Sequence, residues 1–105
     1  MKKTYNKLVR DRIPDIIEQD GKRAAFRYLD NEKILEQLFA KLHEETSELH
    51  DAQNVAEVAD IIEVLFAIAQ RFGYDEQQTL EQVHQKRQTR GGFQKGILLE
   101  SVEES

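Results

Sequence analysis

The chain has 105 residues and no low-complexity linker, enough for one domain with a core and too few for two. An apolar share of 39% beside a charged share of 33% fits a soluble helical protein and argues against disorder. A net charge of -5 argues against duplex nucleic acid as a partner, and the absence of cysteine excludes disulfides, thiolate metal sites and cysteine nucleophiles.

Lys2 and Lys3 are followed by no apolar stretch and no small-residue cleavage site, so the start does not read as a secretory signal and a cytoplasmic location is expected. The longest apolar run, residues 61–69, is broken by Glu63, so no segment is expected to cross a membrane. Pro14 fits the first turn of a short helix through Asp15 to Glu18, which Gly21 ends in a left-handed cap. The following AAFRYL, short, partly aromatic and without helical periodicity, reads as an extended segment. GGFQKGILLES near the other end is its expected partner, giving a small two-stranded β element that joins the termini.

From about Asn31, Leu35, Leu38, Leu42 and Leu49 follow a heptad-like spacing, and Glu45 stands where the next apolar residue belongs. Glu45 therefore faces a seam. A second long helix, about Val55 to Phe72, carries Val55, Val58, Ile62, Leu65 and Phe72 on one side. Ile61, Val64 and Ile68 form another side, with Glu57 on the same ridge, and a helix apolar nearly all round is a central or interface helix. Gly73 ends it, and Asp75 with Gln78 makes a capping box for a third long helix running to about Thr89. The expected fold is mainly α, a single-domain helical bundle over 1–105. Phe26, Tyr28, Phe39, Phe66 and Phe93 are expected chiefly in its core, stacking on a base being their second use.

Glu45 with Glu48 and Glu57 with Asp60 are each spaced i, i+3, so each pair shares a helix face. A tight turn at residues 51–54 sets Glu48 level with Glu57 and Glu45 level with Asp60. Glu57 taken alone also reads as a cap partner of Asn54, and Glu44, Glu45 and Glu48 as a solvated acidic face. Taken together, four acids converging at a packed seam repel and lose hydration, which calls for a cation or raised pKa values. Oxygen-only ligands point to a hard divalent ion, and magnesium shared between carboxylates and phosphate oxygens suits a polyphosphate substrate. Such an ion neutralises charge on phosphoryl oxygens and acidifies an attacking water, so no protein nucleophile is needed. Glu44, beside the set, is a candidate base.

The run KLHEETSELHDAQNVAEVAD resembles the all-alpha nucleotide pyrophosphohydrolases of the MazG type, with an E-E-x-x-E element followed by E-x-x-D. YNKLVRDRIPDII and GGFQKGILLE resemble its phosphoribosyl-ATP pyrophosphohydrolase-like subfamily, so the likeness covers most of the chain. One departure is that only eight residues separate Glu48 from Glu57, where many MazG-type proteins have a longer connection. The resemblance implies that Glu45, Glu48, Glu57 and Asp60 bind Mg2+, with Mn2+ as a substitute; Glu44 and Glu45 are the expected catalytic residues. Water then cleaves a nucleoside triphosphate to monophosphate and pyrophosphate, as in the removal of non-standard nucleotides. It further implies phosphate contacts from Lys86 and Arg90, spaced i, i+4, which read equally as a basic helix end. Asn6, Lys7 and Arg10 are implied near the substrate. A homo-oligomer, dimer or tetramer, is expected from both the apolar second helix and the family. The alternatives are a non-catalytic nucleotide- or protein-binding helical module and a phosphoribosyl-ATP pyrophosphohydrolase.

Overall fold

The computed structural model describes residues 1–104; Ser105, the end of the expected domain, lies outside the described residues. Four helices follow one another: α1, Ile13–Gln19; α2, Asn31–Ala52; α3, Val55–Arg71; and α4, Glu76–Arg90. Pro14 sits in the first turn of α1, where its missing N–H costs no helical hydrogen bond. Gly21, at φ +83°, ends α1: its N–H donates to the Glu18 carbonyl at 3.0 Å, and that of Lys22 donates to the Ile17 carbonyl at 3.2 Å. This paired closure uses the left-handed region open to glycine.

α2 begins where the Lys33 N–H donates to Asp30 Oδ1 at 2.9 Å. Its heptad stripe then meets the ridge of α3. Leu38, Val64 and Ile68 are the buried core, with Leu8, Ile34, Leu35, Leu42 and Ala67 packed against it. The turn between the helices is two residues long. Gln53 takes a left-handed conformation at φ 52° and donates its N–H to the Leu49 carbonyl at 2.8 Å, while Asn54 Oδ1 accepts from the Glu57 N–H at 3.0 Å. At the far end Arg71 Nη1 donates to Asn31 Oδ1 at 2.9 Å, so the hairpin is fastened at both ends.

α4 depends more on its cap than on packing. Asp75 Oδ1 accepts from the Gln78 N–H at 2.8 Å, and Gln78 Oε1 accepts from the Asp75 N–H at 2.9 Å, the reciprocal capping box expected from the sequence. None of its residues is buried.

No strand forms among the described residues, which corrects the expected two-stranded element. An extended segment makes a ladder only with a second one about 4.8 Å away. AAFRYL has none: its Phe26 and Tyr28 rings, two positions apart, meet edge-on at 5.8 Å, and residues 91–104 beyond α4 are exposed throughout. The aromatic expectation is corrected too, because Phe26, Tyr28, Phe39 and Phe93 are exposed and only Phe66 of the five is partly buried.

The radius of gyration is 18.5 Å and the extents are 67 × 32 × 21 Å. A compact chain of this length has a radius near 13 Å, so the fold is an elongated hairpin with appendages. The core is correspondingly concentrated. Leu38→Ala is expected to cost about 2–4 kcal/mol, through lost burial and the cavity left behind, and Asp75→Ala about 1 kcal/mol through the lost cap. Urea denaturation of the two variants beside the parent measures both.

Candidate metal centre

The hairpin gathers acids beside its turn. Glu45, on the buried stripe of α2, and Glu57 and Asp60, on α3, each offer a carboxylate oxygen, and these atoms lie within 4.8 Å of one another. Glu45 is the one buried charged residue among those described, its side chain 9% exposed. The substitution of glutamate for a seam leucine thus places a carboxylate against the core, as the heptad required.

Two of the three acids also carry an oxygen with no partner. Glu45 Oε2 and Glu57 Oε2 are both shielded from solvent and accept no hydrogen bond. Such groups are uncommon in folded proteins, because the lost hydration of a carboxylate oxygen is normally replaced. Two unpartnered oxygens on members of one three-acid group fit a cation, and a hard divalent ion accepts that donor set.

Burial pushes the Glu45 carboxyl above its ordinary pKa, and the neighbouring Glu48 and then Asp60 add to the rise, while Lys41 opposes it. Lys41 Nζ lies 3.5 Å from Glu45 Oε1 with its own side chain 22% exposed. Lys41 is not among the residues expected at the site, although its i, i+4 spacing to Glu45 is a signal for this pair.

The remaining expected residues divide. Glu48 is exposed on the following turn and lies outside the three-acid group, although its charge is felt by Glu45. Glu44 Oε1 accepts from Lys7 Nζ at 3.0 Å, and this hydrogen bond holds the Glu44 carboxyl below its usual range while raising the Lys7 ammonium. Arg10 Nη2 donates to Asp60 Oδ1 at 2.7 Å. Two of the amino-terminal residues expected near substrate therefore do lie at the acids, paired with them. Asn6 beside them is exposed and left-handed at φ 47°. Lys86 and Arg90 stand exposed on α4 and, among the described residues, make no ion pair with the acidic group.

Comparison with protein-family models, with curated proteins and with solved structures finds no match to this chain.

The raised pKa of Glu45 has a sign. A carboxyl that binds its proton more tightly when folded loses stability as pH rises from its unfolded to its folded value, and the ionised folded form is the penalised one. Glu45→Gln should therefore stabilise the metal-free protein at neutral pH, with the gain shrinking as pH falls through the carboxylate range. Urea denaturation of both proteins in chelator, at pH 7 and pH 4, reads that difference. A constant difference would mean that Glu45 is not the group under strain.

Proposed function

We propose that the protein is a magnesium-dependent nucleoside triphosphate pyrophosphohydrolase, cleaving between the α and β phosphates to give monophosphate and pyrophosphate, with non-standard nucleotides among its substrates. The observation that carries this reading is the pair of buried, unpartnered oxygens on Glu45 and Glu57 within a group completed by Asp60. The likeness of KLHEETSELHDAQNVAEVAD and of both end segments to MazG-type enzymes supports the choice of phosphoanhydride chemistry over other uses of a divalent ion.

Glu45, Glu57 and Asp60 would hold Mg2+ or Mn2+, with Glu48 one turn away as a further ligand. The ion supplies charge neutralisation for the phosphoryl oxygens and acidifies the attacking water. The chain's own residues do the rest. Glu45 anchors the group from the core and keeps water from one side of it. Glu44, held ionised by Lys7, accepts a proton only weakly while that hydrogen bond lasts and becomes a better base once Lys7 turns to a phosphate. Arg10 is the second cation at hand for the polyphosphate, whereas Lys86 and Arg90 reach it only if α4 approaches the acids.

The partner is a second copy of the chain. Accessible surface amounts to 10063 Å², against about 6,100 Å² for a compact monomer of this mass. That excess, about 4,000 Å², exceeds what each subunit contributes to a stable dimer interface. Val55, Val58, Ile62 and Leu65 on α3, and Phe72 just after it, remain exposed, continuing the stripe that marked it as an interface helix. Sedimentation at low micromolar concentration should show a dimer or tetramer; a folded monomer there would refute the assembly.

Pyrophosphate release from a panel of canonical and modified nucleoside triphosphates, and from phosphoribosyl-ATP, should require Mg2+ and vanish in chelator. Asp60→Asn should lower turnover by at least about 100-fold, the loss of several kcal/mol of transition-state stabilisation. Cation binding without turnover of any substrate would instead favour a non-catalytic nucleotide- or protein-binding module.

A further inference from the structure

The irregular segment before α1 crosses the hairpin at the acidic group and is held there at three points. Lys7 Nζ reaches Glu44 of α2 at 3.0 Å, Leu8 packs against the Leu38–Val64–Ile68 core, and Arg10 Nη2 reaches Asp60 of α3 at 2.7 Å. These three residues lie within four positions of the chain, yet their partners come from both arms of the hairpin. Arg10 donates to Asp60, the member of the three-acid group whose side chain is 42% exposed, and its own side chain is 55% exposed. The deeper oxygens on Glu45 and Glu57 have no such partner.

We propose that Arg10 is a displaceable counter-cation: its guanidinium occupies on Asp60 the place that a divalent ion takes, so that cation binding and docking of the Lys7–Arg10 strap oppose one another. The inference rests on the metal-centre reading above and adds to it a coupling between the ion and the amino-terminal segment. A guanidinium 2.7 Å from Asp60 Oδ1 and a divalent ion on the same carboxylate repel one another, so each weakens the hold of the other. A half-exposed ion pair is weak enough for a divalent ion to break, and Arg10 is then freed beside the acids, where a polyphosphate would meet it. Because the coupling is reciprocal, weakening the strap strengthens the ion.

Mn2+ titration by calorimetry of the full chain, of Arg10→Ala and of Arg12→Ala tests this. Arg12 is exposed and has no ion pair among the described residues, so it reads the general effect of removing a positive charge from the segment. Arg10→Ala is expected to bind Mn2+ roughly two- to fivefold more tightly than the parent, the scale of a lost surface pair, with Arg12→Ala close to the parent. In parallel, saturating Mg2+ should lower the backbone 15N heteronuclear NOE at Val9, Arg10 and Asp11 in the parent protein, which a purely structural Arg10 would not do. Equal or weaker Mn2+ binding by Arg10→Ala, with the parent still binding, would overturn the strap while leaving the centre standing. Absence of Mn2+ binding in all three proteins would remove the centre itself, and the strap with it.

Discussion

The register of the α2–α3 hairpin governs everything else in this molecule, and a two-residue connection sets it. With only Gln53 and Asn54 between the helices, there is no slack in which one arm could slide along the other. Gln53 adopts the left-handed conformation and closes α2, while the Asn54 side chain opens α3. Each does one job at one position, and a residue more or less would turn the arms relative to each other. The bond from Arg71 to Asn31, across 40 positions, fastens the open end in the same register. From that register follow both the packing of Leu38 with Val64 and Ile68 and the approach of Glu57 and Asp60 to Glu45.

Core and acids thus share one seam, and they make opposite demands on it. Apolar contact favours a dry interface; a carboxylate on the same stripe loses hydration there. The chain meets this with long, partly exposed cations placed around the rim: Lys41 on Glu45, Lys7 on Glu44 and Arg10 on Asp60. The Lys7 and Arg10 pairs form and break easily, since solvent competes for both partners, whereas Glu45 in the Lys41 pair is buried. None of the three reaches Glu45 Oε2 or Glu57 Oε2. The arrangement is therefore half compensated, paired at the rim and unpartnered at depth.

Helix positions, caps and seam were legible because each rests on local chemistry. The heptad of Leu35, Leu38, Leu42 and Leu49 pointed to the buried face and put Glu45 on it; Asp75 with Gln78 announced the reciprocal cap; Gly21 and Gly73 marked the ends of α1 and α3. Less legible was anything that depends on side-chain reach between distant segments. That Lys7 would find Glu44 and Arg10 find Asp60, 37 and 50 positions away, has no periodic signature. Glu48 shows the limit of a register argument: it is exposed and lies outside the three-acid group, although its charge is felt by Glu45.

The expected strands went wrong for a more informative reason. Alternation and aromatic content signal a surface that fits against another surface, and they do not say which. The same ambiguity attends α3, whose two apolar faces include one that the chain leaves open, with Val55 81% exposed and Phe72 56%. Phe93, Ile97, Leu98, Leu99 and Val102 in the carboxy-terminal tail are exposed as well. A single chain of this length can bury one seam, and this one buries the seam that carries the acids. The apolar residues left over lie on elements that the hairpin does not constrain: the outer face of α3, the weakly packed α4 and the tail beyond it. In the proposed assembly of two copies, those exposed apolar elements are the ones a partner would cover, apart from the seam that carries the acids.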